Sequence, residues 1–173
     1  LVFSCFFGSF YGYFDFFPVR FPSFSHPLAV TYEGDNNVLC QQTSNYLMDV
    51  YRDILQGKRV SSPLGSINFL SDLPSILKGK LAAGSEQAML DPANYLSIFD
   101  WLVCYRLVEG YATLNANVKA GKDDFTARND SQVYQLRELS LAFIEREVHT
   151  RFIKRIKEGP FDLATRNGTY IAY

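Results

Sequence analysis

The stretch DPANYLSIFDWLVCYRLVEGYATLNANVKAG, residues 91–121, decides the fold. Asp91-Pro92 is a helix start: aspartate accepts from an unpaired amide of the first turn, and proline at the first helical position lacks an N–H that would find no partner there. Leu96, Phe99, Val103, Leu107, Tyr111, Leu114 and Val118 then recur at steps of three and four, the spacing of one buried helix face. Gly121 follows where a left-handed residue closes a helix, so the pattern predicts a helix from Pro92 to about Lys119. Trp101 and Tyr111 are assigned to its core side. Gly110, in the middle, weakens the helix by roughly 1 kcal/mol relative to alanine unless another element approaches closely there.

Two further helices share that periodicity. From Asp124 to about Lys157, Val133, Leu136, Leu139, Phe143, Ile144, Val148, Phe152 and Ile156 form an apolar stripe, stopped by Gly159-Pro160. Upstream, Asp35 or Asn36 supplies a cap for a helix from about Asn37 to Gln56, with Leu39, Tyr46, Leu47, Val50, Tyr51, Ile54 and Leu55 on one face and Gly57 as its left-handed terminator. Residues 58–86 are rich in turn residues and read as a connector with a short helix near Leu73 to Leu81. No segment alternates convincingly as a strand. The fold class is therefore all-α, a helical bundle of three long helices and one short helix packed antiparallel.

Composition bounds the function. In 173 residues, 47% are hydrophobic and 20% charged, enough for one domain with a core. Lys and Arg total 17 against 18 Asp and Glu, a balance that gives no field to attract nucleic acid. Cys5, Cys40 and Cys104 form no paired motif, and His26 and His149 are too few for a histidine metal site, so no metal is expected. No Gly-rich phosphate loop is present. His149 lies among Arg151, Lys154, Arg155 and Lys157, basic residues that complement the helix C-terminus and face water. Cys40 and Cys104 read as small apolar core groups.

The amino-terminal stretch is unusual. Nine phenylalanines and two tyrosines fall between Leu1 and Phe24, broken by Asp15, Pro18, Arg20 and Pro22. The charges and prolines argue against a membrane span, and the stretch does not fit a signal peptide, which would want a basic start and an aliphatic core. A non-homologous extension, a surface-docked aromatic arm and a membrane-interface anchor all remain open readings. Because the first residue is Leu1, the chain reads as a fragment.

Thr31-Tyr32-Glu33-Gly34-Asp35-Asn36-Asn37 places a carboxylate on a glycine turn directly before a helix. Alone, such a glutamate is ordinarily an exposed turn residue favoured by the helix dipole. As a base it needs a pKa not far below the working pH, so burial must outweigh the dipole. The longer run, with Val38, Gln42-Thr43 and Tyr46-Leu47, resembles the acyl-CoA oxidase family. Trp101-Leu102-Val103-Cys104-Tyr105 with Glu109 and Tyr111, and Asp124-Phe125-Thr126-Ala127-Arg128-Asn129 with Gln132-Val133, are similar to C-terminal segments of peroxisomal oxidases of the branched-chain, pristanoyl-CoA type. Ser62-Pro63-Leu64 and Phe69-Leu70 in the connector resemble them too.

The resemblance implies a fold, a reaction and a site. Glu33 would be the catalytic base, removing the α-proton of an acyl-CoA while FAD takes a hydride and O2 reoxidises it to give H2O2 and a trans-2-enoyl-CoA. Tyr32 and Gly34 would contact substrate, and Asp35 and Asn37 would contact FAD, with helix capping as the alternative role for both. A homodimer, a peroxisomal location and no membrane span are also implied, although Ile171-Ala172-Tyr173 is not a peroxisomal tripeptide. The expected divisions are an aromatic segment at 1–29, the end of the catalytic helical domain at 30–57, a connector and the start of the C-terminal helical domain at 58–158, and a divergent tail at 159–173. With the upstream flavin and substrate domains missing, the chain alone is expected to be too incomplete for activity. The alternative is a non-catalytic helical interaction module or an inactive remnant.

Overall fold

The computed structural model describes residues 35–80 and 91–159, with the side chains of Pro92, Val133 and Tyr134 excepted. These residues form α1 (Asn36–Leu55), a 3-10 turn (Asn68–Asp72), α2 (Leu73–Lys78), α3 (Pro92–Lys119), α4 (Asp124–Ser131), a π-helical turn (Gln132–Leu136) and α5 (Arg137–Glu158). No strand occurs among the described residues. The all-α expectation therefore holds.

The caps fall where the side-chain chemistry puts them. Asp35, Asp91 and Asp123 each accept from amides of the turn they open: Asp35 from Asn37 and Val38, Asp91 from Ala93, Asp123 from Thr126. Gly57 and Gly121 follow α1 and α3 with φ of 74° and 83°, a left-handed conformation that costs glycine nothing. α2 ends at Lys78 with Gly79 as its C-cap, short of the expected limit, and Leu81 lies outside the described residues.

The helix expected from Asp124 is one continuous rod, because the backbone stays right-handed helical at Ser131, Leu136 and Arg137. Its π-turn was not foreseen. A π-turn adds one residue to a helical turn and rotates everything beyond it by about 100°. Nothing in the spacing of the stripe marks it.

α3 and the rod run antiparallel. Phe99 stacks against His149, Asp100 pairs with Arg146, Gly110 meets Leu136 and Asn117 bonds Ser131. α1 also runs against the rod: its residues 40 to 45 bond residues 140 down to 128. The fully buried Leu47, Met48, Val103, Cys104, Leu107, Leu136 and Leu139 fill the space between the three, with Leu70 entering from the connector. At the centre, a Cβ on Gly110 would stand 2.8 Å from Leu136 Cδ2 and 2.9 Å from Met48 Cε. This is the close approach that keeps glycine in the middle of α3.

A buried ion cluster joins the connector to the bundle. Arg146 Nε donates to Asp100 Oδ1 at 2.6 Å and its NH1 to Glu147 Oε1 at 2.7 Å. The same guanidinium lies 3.8 Å from the centroid of Phe69, a cation–π contact strengthened by desolvation. Arg151 reaches both Glu147 and the carbonyl of Leu64. The connector is thus clipped to α5 at two points. Burial pushes the Cys104 thiol up to about 12, with Asp100 adding to the effect and Arg146 opposing it, so Cys104 is an inert core group as expected.

Several expected faces are corrected. Trp101 is 40% exposed and stacks flat on the exposed Tyr105, outside the core. α3 is apolar around most of its circumference, so periodicity alone could not say which side turns inward. Tyr111, by contrast, packs against the core as expected, half-buried and edge-on to Tyr51. Tyr46, Leu55 and Val118 are exposed, while Cys40, Thr43, Ser44 and Met48 take the inner face of α1. The inward face of α1 is thus rotated toward the polar seam with the rod. His149 does not face water with the basic residues; it packs on Phe99 and Tyr95, and desolvation lowers its pKa.

Three outcomes follow from this packing. In chemical denaturation, Gly110→Ala should change stability by less than about 1 kcal/mol, because the two atoms in the way are side-chain tips and helix propensity offsets the crowding. Gly110→Val should cost about 2–3 kcal/mol; equal costs for the two would show that the backbone, not the tips, sets the limit. Arg146→Met should cost about 3–5 kcal/mol by stranding Asp100 and Glu147, and adding Asp100→Asn and Glu147→Gln should recover part of it. A loss below about 1 kcal/mol would mean that the cluster is solvated. Because desolvation lowers the pKa of His149 in the folded state, the unfolded chain binds more protons just below the ordinary value of 6.5. Stability should therefore fall as pH drops through 6.5 toward the lower folded value and level off beneath it, and His149→Gln should flatten that slope. An unchanged slope would place the titrating group elsewhere.

Candidate functional site

The amino-terminal end of α1 is where the chain delivers the run that begins at Thr31. Tyr32, Glu33 and Gly34 lie outside the described residues. Asp35 and Asn37 are described, and both sit at the helix start. Asp35 is the cap: its Oδ1 accepts from the amides of Asn37 at 2.9 Å and Val38 at 3.2 Å, and its carbonyl from Leu39 at 3.0 Å. Asn37 is exposed on the first turn, which carries no charged side chain.

Asn36, between them, was named from the sequence only as an alternative cap, a role that Asp35 takes. Its Oδ1 is buried with no hydrogen-bond partner among the described residues. A buried acceptor in this state costs free energy until something donates to it. Because asparagine next to a capping aspartate is common in turns, composition gave no signal for it.

Beneath this turn α1 is held by a polar seam. Ser140 Oγ donates to the Cys40 carbonyl at 2.6 Å and also lies 3.1 Å from the Leu136 carbonyl. Ser44 Oγ lies 3.2 Å from Gln132 Oε1 and 3.0 Å from the Gln41 carbonyl. Asn45 Oδ1 is approached by Gln132 Nε2 and Arg128 NH1, both at 3.5 Å, and Arg128 is paired in turn with Asp124. Ser44, Ser131 and Ser140 are fully buried. These contacts are directional, so they fix the rotation and height of α1 in a way that apolar packing cannot.

Among the described residues at this end, Cys40 is the group whose pKa shifts. Burial raises the Cys40 pKa, with Arg137 opposing and Asp35 adding to the rise, which leaves the thiol protonated. Among the described residues, no group of three or more His, Cys, Asp and Glu side chains could hold a metal ion. None of the described helices is long and apolar enough to cross a membrane.

Comparison with known proteins gives the chain a family. Residues 91–167 match the family described as acyl-CoA oxidase. The chain is 45% identical over 129 residues to peroxisomal acyl-coenzyme A oxidase 3 of Homo sapiens, an alignment covering 74% of this chain and 18% of that protein. It is 30% identical over 132 residues to acyl-coenzyme A oxidase acox-3 of Caenorhabditis elegans, with the same shares covered. The chain thus spans about a fifth of the length of these relatives. Its fold matches acyl-CoA oxidase 1 of Arabidopsis thaliana with a TM-score of 0.73, covering 85% of this chain and 21% of that one at 20% identity. By sequence over most of its length, and in fold, this chain belongs to the acyl-CoA oxidase family.

Proposed function

We propose that this chain carries the catalytic base of an FAD-dependent acyl-CoA oxidase of fatty acid β-oxidation, and that Glu33 is that base. The observation that carries the reading is the start of α1. Glu33 stands two residues before a helix cap that is hydrogen-bonded to its own first turn and is backed by a buried polar seam.

Glu33 removes the α-proton of the acyl-CoA thioester. The proton is acidic enough only when negative charge building on the thioester oxygen is stabilised, and the backbone N–H of Glu33 donates to that oxygen. Gly34 lets the thioester come close to the main chain, since no Cβ is in the way. Tyr32 walls off water, which keeps the Glu33 carboxylate basic despite the nearby helix dipole. When bound, FAD would supply the acceptor for the β-hydride and the route of its electrons to O2, with a trans-2-enoyl-CoA and H2O2 as the products.

The residues present fit that cofactor at one end. Asn37 offers an exposed amide, and the buried Oδ1 of Asn36 awaits a donor such as a hydroxyl or ring N–H. The Asp35 carboxylate is already engaged by two amides, so its part is to orient the turn on which Asn37 contacts FAD. A phosphate is kept away from Asp35 by like charge. The substrate class is a branched-chain acyl-CoA, from the likeness to the pristanoyl-CoA type of oxidase. The location is the peroxisome, as in the names of the relatives. The complete enzyme is a homodimer.

One observation favours a second reading, a non-catalytic helical interaction module. Trp101 and Tyr105 form an exposed flat stack on α3, with Tyr95 and Val118 exposed on the same helix, an arrangement found where proteins meet.

A chimera decides between them. Residues 31–159 of this chain replace the matching segment of the human oxidase 3, and peroxide release is followed with a 2-methyl-branched acyl-CoA. The chimera should bind flavin and release peroxide, and Glu33→Gln should lower kcat by about 100-fold or more with flavin still bound. Undiminished peroxide release from Glu33→Gln would remove Glu33 as the base. The 173-residue chain alone should show neither flavin absorbance nor peroxide.

A further inference from the structure

We infer that two copies of this chain pair antiparallel through the outer face of α3, with Trp101 and Tyr105 of each copy seated on Ala116 and Ala112 of the other. The inference concerns this chain by itself, so it stands apart from the reading of Glu33 and from the dimer of a complete enzyme. Three sides of α3 are already taken. Val103, Cys104 and Leu107 are fully buried in the core, Tyr111 turns to Tyr51 of α1, and Asp100 meets Arg146 of α5. Ile98, Trp101, Tyr105, Ala112 and Ala116 recur at helical spacing on the side that is left. Trp101 and Tyr105 are 40% and 42% exposed, and both alanines are exposed.

The row is graded in size, and the grading names its partner. One half carries the flat stack of Trp101 on Tyr105, with ring centroids 5.1 Å apart and planes 8° apart, while the other half carries the two alanines. Trp101 and Ala116 are centred on a point between Val108 and Glu109, and Tyr105 and Ala112 are centred on the same point. A twofold axis there sets each aromatic ring on an alanine of the other copy, an isologous contact in which one row fills its own hollows. A parallel pair would set ring on ring and leave the alanines across a gap, which forfeits contact along half the row.

Charge selects the same direction. Glu109 stands beside that axis, paired with Arg106 at 3.1 Å, and both side chains are more than a third exposed. Antiparallel pairing brings Arg106 of one copy to within about 3 Å, along the helix axis, of the level of Glu109 of the other. Parallel pairing sets Glu109 on Glu109, a like-charge contact that disfavours it. A single pair of helix faces lies at the low end of interface sizes, so the dimer forms in the micromolar range.

The test follows the mass of the 173-residue chain by sedimentation between about 1 and 100 µM, without flavin or turnover. The mass should rise from 19.7 kDa toward twice that value. Ala112→Glu places a charge under the Tyr105 ring of the other copy and should weaken association by at least about tenfold. Its melting temperature should stay that of the parent at low concentration, because position 112 is exposed in a single copy. Ala116→Glu carries the same test should that variant fail to fold. Direction is read separately, in a Cys5→Ser background in which the buried Cys40 and Cys104 stay out of reach. Tyr105→Cys and Ala112→Cys chains, mixed and oxidised, should yield chiefly disulfides between unlike variants. A mass that stays at 19.7 kDa across the range overturns the inference. Self-association undiminished in Ala112→Glu and Ala116→Glu also overturns it and moves the contact to another surface, and disulfides formed chiefly between like variants overturn the antiparallel pairing.

Discussion

How closely α3 can approach the turn at Gln132–Leu136 governs the rest of this bundle. Gly110 presents bare backbone to Leu136 and Met48, tips of side chains that come from the rod and from α1. With all three elements converging on one residue, their heights and rotations are no longer independent. The antiparallel pairing of α3 with the rod, from Asn117 and Ser131 at one end to Phe99 and His149 at the other, keeps step across this contact.

Polar groups then convert that packing into a single arrangement. Apolar side chains tolerate small slides, since the hydrophobic effect has no direction. Ser140, Gln132, Ser44 and Asn45 do not tolerate them, because each has its partner at one height only. Arg146 performs the same service for the connector. Its fork joins α5 to Asp100 of α3 and holds the neighbouring Glu147, and its face covers Phe69. Buried charge of this kind adds little net stability but penalises every arrangement that leaves one partner alone.

The proposed chemistry lies at the amino-terminal end of α1, where a capped turn stands above the polar seam. A base that must meet a carbon acid needs a fixed backbone more than it needs a large one. The capped turn of Asp35 and the seam behind it supply a firm platform, and the proposed chemistry of Glu33 depends on nothing else within the described residues. The exposed Trp101 and Tyr105 stack lies away from that seam, on the outer side of α3.

The sequence by itself determined the helices, their caps and terminators, and the family. Asp35, Asp91, Gly57 and Gly121 act on neighbours within a few residues, and local rules read them correctly. The Glu33 run was legible as chemistry only through its likeness to a family, since a lone glutamate before a helix has an ordinary explanation. The tertiary structure alone decided which faces turn inward. Trp101 was expected inside and lies outside, and His149 the reverse, because α3 offers apolar residues on both sides and His149 is recruited by Phe99 across the pairing. It alone decided the π-turn and hence the common direction of Gln132 and Ser140. One extra residue in a turn leaves no mark in an apolar stripe; its reason is the approach of another helix, which no local pattern contains.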